Sequence, residues 1–196
     1  MTATFGLHSK VNYTSVKALE NACLLLSNYK IKWLWLSGDM MALRKDLILV
    51  NKLLTDYCIN IITDSIEILN SPISCKAFIC RQYEDIATLK TTYTNILIGG
   101  LANDIAACKN VEYYEGDFVY FGPVDEIGLE PFTTLIPKEP DYEWRFLDII
   151  IPVIGYGRVN SSNLTTLTET ANLSGFMSPI ETIDNHAKQT LRFVLD

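Results

Sequence analysis

Two tryptophans and one histidine are the residues whose types and positions first suggest chemistry. Trp33 and Trp35 alternate along an apolar run, so both side chains face the same side of a predicted strand. Such an aromatic pair can stack against a planar ring of a ligand, or it can fill the core of the protein. His8 ends the first predicted strand, a usual position for a site residue, although a lone histidine is also often structural. The sequence leaves both interpretations open.

The cysteines and histidines do not form a recognisable metal or redox motif. No two cysteines have CxxC spacing, and most of them lie within apolar runs, which predicts buried free thiols in a reducing compartment. The two histidines, His8 and His186, are far apart in the sequence, which disfavours a His-rich zinc site. Neither a Walker motif nor a dinucleotide-binding motif is present.

Composition and charge narrow the class of protein. The chain has 196 residues, of which 48% are hydrophobic and 20% charged, as in ordinary soluble domains. Its formal net charge is −7, and it has no basic run, so we expect no nucleic-acid partner. The first residues do not resemble a signal peptide, and no stretch approaches the roughly 18 apolar residues of a membrane span. We therefore expect a cytoplasmic protein without a membrane partner. Whether the chain forms a homo-oligomer is left open by the sequence.

Apolar runs and helical patterns alternate eight times along the chain. The clearest run is Phe118–Phe121, a continuous apolar segment typical of a strand buried on both faces in a parallel sheet. The eight predicted strands are 4–8, 31–36, 59–63, 76–80, 95–98, 118–121, 150–154 and 173–177. The predicted helices are 15–27, 41–57, 66–69, 82–92, 104–111, 142–149, 160–171 and 182–195.

Eight strand–helix units predict an α/β fold, a small (β/α)8 TIM barrel that forms a single domain over residues 1–196. An open doubly wound sheet is the structural alternative. The segment 125–140 is rich in proline and predicts an irregular loop. In a TIM barrel the site residues follow the carboxyl ends of the strands.

Three of those strand ends resemble one family. Gly116–Val124 resembles the sixth-strand signature of the thiamine phosphate synthases and their thiazole tautomerase relatives. Ile151–Val159 resembles the seventh strand of that family, and Ser174–Ile180 is similar to the end of its eighth strand. The order and spacing of these motifs fit the family from about residue 4 to residue 194.

The resemblance implies a magnesium-dependent transferase of thiamine biosynthesis. The family joins an aminopyrimidine pyrophosphate to a thiazole phosphate, and Mg²⁺ with cationic side chains stabilises the departing pyrophosphate. Asp64, after the third strand, matches the first metal carboxylate of the family. Glu84, in the segment Arg81–Glu84, stands where the family usually has aspartate. A helix cap is the alternative role for Asp64, and a solvated acid in a first helical turn is the alternative for Glu84.

The resemblance also implies a phosphate site at the seventh and eighth strands. Gly157 and Arg158 would face the thiazole phosphate, and Ser178 would assist them. Arg158 replaces one of the paired glycines of the family. It could bind phosphate through its guanidinium or form a salt bridge to Asp125 or Glu126.

Three departures from the family separate the functional hypotheses. The segment Trp33–Asp39 lacks the cations that hold the pyrophosphate, and Gly99–Asp104 lacks the Ser-Thr-His type turn. Val124–Glu130 is acidic where the family has Thr and Lys. The chain is accordingly a divergent magnesium-dependent synthase, or a degenerate or repurposed relative that binds a small planar or phosphorylated ligand. A third hypothesis, another phosphate-binding barrel enzyme, predicts phosphate at strands seven and eight without metal.

Overall fold

Eight parallel strands form a closed barrel in chain order, and the pairing of the first strand with the last closes it. The computed structural model describes residues 4–9, 15–36, 45–122, 149–157 and 173–179. The strands are β1 Thr4–Ser9, β2 Trp33–Leu36, β3 Asn60–Thr63, β4 Cys75–Cys80, β5 Leu97–Ala102, β6 Val119–Phe121, β7 Val153–Tyr156 and β8 Gly175–Pro179. This confirms the predicted (β/α)8 barrel, and the open-sheet alternative is wrong because β1 pairs with β8.

Helices follow most of the described strands. They are α1 Val16–Asn28, α2 Leu47–Asp56, α3 Ile66–Leu69, a 3-10 helix Tyr83–Asp85 continued by α4 Ile86–Thr92, and α5 Ile105–Tyr113. The predicted loop 125–140 and the predicted helices 142–149, 160–171 and 182–195 lie outside the described residues, apart from residue 149. None of the described helices combines the length and the apolar character needed to cross a membrane. The single domain over 1–196 stays a prediction.

The strands bury both faces, as a parallel sheet requires. On the outer face, Leu34, Phe78 and Val119 belong to the large apolar core shared with the helices. On the inner face, the described strand residues pack on one another and on Phe118, and we call this group the interior cluster. Its members are Trp35, Ile62, Ala77, Ile79, Phe118, Tyr120 and Met177, with the half-buried Trp33, Leu101, Ile154 and Tyr156 packed against them.

Strand β5 differs from the prediction, which ended it at Ile98, because two glycines lie inside the strand. A Cβ on Gly99 would stand 2.5 Å from the carbonyl oxygen of Phe118. A Cβ on Gly100 would stand 2.4 Å from a methyl of Val111 in α5. The glycines therefore let Phe118 enter the barrel and let α5 lie close to the sheet, and they do not end the strand.

Polar side chains begin several helices, as the sequence predicts for Ser15. The Ser15 hydroxyl accepts a hydrogen bond from the amide of Ala18, and Asp104 caps α5 through the amide of Ala107. These contacts satisfy amide groups that a first helical turn leaves without partners.

Three helices end in the same unusual way. After α1, α2 and α5 the chain passes through a left-handed residue that is not glycine: Lys30, Cys58 and Glu115, with φ of 55°, 54° and 60°. In each case the next amide donates back to a carbonyl in the last helical turn, as from Ile59 to Leu54 at 2.8 Å. This is the hydrogen bond of a Schellman motif, in which glycine is the usual left-handed residue.

Replacing the exposed Cys58 with glycine is therefore expected to stabilise the protein. The side chain disfavours the left-handed conformation, so the change should raise the free energy of unfolding by about 0.5–1 kcal/mol, measured by urea denaturation. Lys52→Gly, at an exposed position inside the same helix, is the matched control and should lower the free energy of unfolding by a similar amount. A loss of stability in both variants would contradict this account.

The five cysteines, all in the described part of the chain, are free thiols, as predicted. Four are buried and Cys58 is exposed. Burial raises the pKa of Cys23 and Cys75 to about 11 and that of Cys108 to about 12. These thiols stay protonated at neutral pH and contribute to packing.

Candidate functional site

An ion pair between Asp64 and Arg81 lies at the carboxyl ends of two neighbouring strands. Asp64 directly follows β3 and Arg81 directly follows β4. The Arg81 Nη2 donates to the Asp64 Oδ2 at 2.6 Å, and the Asp64 side chain is 7% exposed whereas that of Arg81 is 68% exposed. The pair therefore joins an almost buried carboxylate to a guanidinium that faces solvent.

The turn that presents Asp64 is held by the buried Thr63. Its hydroxyl donates to the carbonyl of Leu36 on β2 at 2.7 Å and accepts from the amide of Ser65 at 3.1 Å. The Ser65 hydroxyl accepts from the amide of Ile68 at the start of α3. Asp64 is thus fixed between a strand and a helix cap, so its carboxylate has a defined position.

The carboxylate of Asp64 has a guanidinium as its partner among the described residues. The Oδ2 oxygen of Asp64 already accepts from Arg81, and Glu84 is exposed on the 3-10 helix. Among the described residues, no three His, Cys, Asp or Glu side chains come together, although Mg²⁺ is often held by only one or two carboxylates with waters and substrate phosphates. Magnesium prefers several oxygen ligands in near-octahedral geometry. Its binding by Asp64 and Glu84 stays a prediction.

Three aromatic side chains meet inside the barrel. The rings of Tyr120 and Tyr156 are stacked, with centroids 4.6 Å apart and an interplanar angle of 3°. Trp35 meets both of them edge-on, with its centroid 5.1 Å from that of Tyr120 and 6.1 Å from that of Tyr156. Tyr156 is half-buried at the end of β7, so this aromatic group extends from the interior to the carboxyl end of the barrel.

The hydroxyl of Tyr120 is buried without a hydrogen-bond partner among the described residues. Burial raises the pKa of Tyr120 well above its usual value, and the nearby Tyr156 and Asp64 raise it further. The phenol is therefore protonated at any physiological pH. It offers an O–H donor in the interior of the barrel.

The two tryptophans of β2 differ in burial. Trp35 is 6% exposed and belongs to the interior cluster, while Trp33 is half-buried at the amino end of the strand. Trp35 thus packs in the core, which was one of its two predicted roles. Trp33 lies two residues, or roughly 6.6 Å, further from the carboxyl end, where sites of such barrels lie. A ligand-stacking role for either residue stays a prediction.

Gly157 and Ser178 lie on neighbouring strands. Gly157 follows β7 with φ of 149°, and its amide donates to the carbonyl of Met177 on β8 at 3.0 Å. Ser178 pairs through its backbone with Leu7. The two positions therefore come together at the seventh and eighth strands, as the phosphate-site hypothesis requires; phosphate binding itself stays a prediction.

Other predicted site residues are less defined. Arg158, with its proposed partners Asp125 and Glu126, lies outside the described residues. The backbone of His8 in β1 pairs with Trp35 on one side and with Pro179 on the other. These are register positions near the carboxyl end of the barrel.

Sequence reasoning missed the most defined contact of the site. Arg81 is the first residue after β4, and its position directly at a strand end was a usable signal. Tyr120 gave no such signal, because it is embedded in an apolar run where inner and outer faces look alike. Tyr156 stands between two glycines, beyond the predicted end of the seventh strand.

Comparison with known proteins supports the fold and goes no further. No family model and no curated protein matches the sequence. Among solved structures, the thiamine phosphate pyrophosphorylase from Pyrococcus furiosus matches with a TM-score of 0.63 at 13% identity, covering 99% of this chain and 94% of that one. The KDPG aldolase from Legionella pneumophila, captured with pyruvate as a covalent carbinolamine, matches with a TM-score of 0.63 at 15% identity. The match covers 98% of this chain and 92% of that one.

A third match has a different kind of role. The glycerol uptake operon antiterminator regulatory protein from Listeria monocytogenes matches with a TM-score of 0.62 at 12% identity, covering 91% of this chain and 92% of that one. The chain is thus similar along its length to small barrels as different as a pyrophosphorylase, an aldolase and a regulatory protein. Together with the strand order, this defines it as a small (β/α)8 barrel. Function must be argued from its site.

Proposed function

We propose that this protein is a repurposed relative of the thiamine phosphate synthase-like barrels that binds a small, planar, phosphorylated ligand at the carboxyl ends of its strands, independently of magnesium. The observation that carries the proposal is the ion pair between Arg81 and Asp64. A permanent cation stands beside the carboxylate that a synthase would give to the metal.

Arg81 is suited to an anionic group of the ligand. Its bond to Asp64 uses one of the five N–H donors of a guanidinium, and the side chain is 68% exposed. The fork of donors matches the oxygens of a phosphate, and the almost buried Asp64 restricts the side chain to one side of the site. This supports phosphate recognition by Arg81.

The aromatic group is suited to the planar part of the ligand. Tyr156 is half-buried at the end of β7, and its ring is backed by parallel stacking on the buried Tyr120. A flat heterocycle can stack on such rings at small entropic cost. This supports a ring-binding surface at the carboxyl end of the barrel, the same end at which Arg81 follows β4.

The coupling enzyme is the second candidate. It is favoured by the position of Asp64, which directly follows β3 where the resemblance requires a metal carboxylate. In that case Asp64 and Glu84 would hold Mg²⁺, which would supply charge stabilisation to the departing pyrophosphate, with Gly157, Arg158 and Ser178 at the thiazole phosphate. Only the Oδ2 oxygen of Asp64 accepts from Arg81, so the other carboxylate oxygen would be the one offered to the metal.

Aldolase chemistry receives no support from the described residues. A carbinolamine needs an amine nucleophile. Every described lysine is exposed except Lys90, whose Nζ donates to Asp117 at 2.7 Å. None of the described lysines belongs to the interior cluster.

The deciding experiment is calorimetric titration with the aminopyrimidine pyrophosphate, in EDTA and in excess Mg²⁺. The wild-type protein is expected to bind equally in both. Arg81→Gln should weaken binding by roughly 10- to 100-fold, since charge-assisted hydrogen bonds contribute about 1.5–3 kcal/mol. Lys76→Gln, which removes an exposed cation near the amino end of β4, the strand that Arg81 follows, is the matched control and should bind as wild type.

Two outcomes would overturn the proposal. One is the absence of binding in both buffers. The other is binding that requires Mg²⁺, together with formation of thiamine phosphate when the thiazole phosphate is added; that result would establish the coupling enzyme.

A further inference from the structure

We infer that the hydroxyl of Tyr120 is a specificity-determining donor that binds a neutral acceptor atom, such as a ring nitrogen, on the planar part of the ligand. The inference rests on the proposed function, because it concerns the same site. It assigns a role to a residue that neither the family resemblance nor the comparisons single out.

The first argument is the cost of leaving this hydroxyl unpaired. Tyr120 is completely buried, and its hydroxyl has no partner among the described residues. A buried donor without a partner is unfavourable, and native proteins rarely keep one without a function. A phenylalanine would fill the same space without that cost, so the hydroxyl itself needs an explanation.

A second tyrosine shows what a structural hydroxyl looks like in this protein. Tyr83 is half-buried, and its hydroxyl donates to the carbonyl of Leu101 at 2.8 Å. Leu101 is also the register partner of Tyr120 on β5. The two tyrosines thus lie against the same stretch of strand, and only Tyr83 has a hydrogen-bond partner there.

Charge determines which part of the ligand can reach Tyr120. The carboxylate of Asp64 is close enough to help raise the pKa of this phenol, so it disfavours a further negative charge there. The compensating guanidinium of Arg81 is largely exposed to solvent, whereas Tyr120 is completely buried. The phosphate is therefore directed to Arg81, and an uncharged acceptor to Tyr120.

Stability measurements test the state of the hydroxyl without any ligand. Tyr120→Phe is expected to leave the melting temperature of the free protein unchanged or to raise it, because it removes an unpaired polar group. Tyr83→Phe is the matched control and should lower the melting temperature by about 2–4 °C, because it removes a formed hydrogen bond. A loss in Tyr120→Phe similar to that in Tyr83→Phe would show that the hydroxyl has a partner and would overturn the inference.

Binding measurements test its role. The probes are the unphosphorylated aminopyrimidine alcohol and inorganic pyrophosphate, both titrated in EDTA. Tyr120→Phe should weaken binding of the aminopyrimidine about tenfold and leave that of pyrophosphate unchanged, whereas Arg81→Gln should mainly weaken that of pyrophosphate. If Tyr120→Phe bound the aminopyrimidine with unchanged affinity, this inference would be overturned, but the proposed function would not. Failure of the wild-type protein to bind either probe would overturn the proposed function and the inference together.

Discussion

Replacing Gly99 with alanine is expected to lower the free energy of unfolding by at least about 3 kcal/mol. The new Cβ would stand 2.5 Å from the carbonyl oxygen of Phe118 and 2.6 Å from two carbons of its ring. A backbone atom cannot move aside without shifting the chain just before β6. Urea denaturation followed by circular dichroism would measure the loss.

A second glycine provides the control for this prediction. The three atoms nearest to the Cβ of Gly100→Ala are side-chain atoms of Val111 and Tyr83, the nearest at 2.4 Å, so Val111→Ala should partly rescue it in a double-mutant cycle. Phe118→Ala should not rescue Gly99→Ala, because the carbonyl oxygen remains. Stability of Gly99→Ala within about 1 kcal/mol of wild type would contradict the close approach of β5 to Phe118.

Removing the indole of Trp35 is the second change expected to lower the free energy of unfolding strongly. Trp35→Ala should lower the free energy of unfolding by about 3–5 kcal/mol, since the side chain is 6% exposed and packs against Tyr120 and Tyr156 at the centre of the interior cluster. Chemical denaturation would measure it. Trp33→Ala should cost clearly less, because Trp33 is half-buried at the end of the strand.

This comparison also separates the two roles proposed for the tryptophans. A packing residue changes stability, whereas a ligand platform on the surface of a site changes affinity and leaves stability nearly intact. If Trp35→Ala stayed within about 1 kcal/mol of wild type and lost aminopyrimidine binding, the packing role would be wrong. Trp35→Phe should be intermediate in stability, because it keeps part of the buried ring.

The barrel could be predicted from the sequence because each of its units repeats the same local signals. Apolar runs such as Phe118–Phe121 alternate with capped helical patterns, and most strand ends were located to within two or three residues. Strand β5 was ended too early because glycine ordinarily interrupts a strand pattern. The two glycines are there because Phe118 and Val111 approach β5 closely. These residues are distant in sequence, so no local pattern signals the contact.

The site could be predicted only in position. Asp64 follows β3 as predicted, since the end of an apolar run can be read from the residues. Its partner Arg81 comes from the next strand, and pairing across strands depends on register that no local pattern contains. The inward direction of Tyr120 was hidden because Val119 and Phe121 beside it are equally buried on the opposite face.

Closure of the barrel by β1 and β8 has a consequence for the order in which the chain can fold during synthesis. β1 must pair with residues 175–179, so the last pairing waits until nearly all the described chain has been made. Until then β1 and β7 are the two edges of an open sheet, with free amide and carbonyl groups that can pair with other strands. Such long-range pairing is slow. The nascent chain is therefore most exposed to aggregation, and most in need of protection, just before its eighth strand emerges.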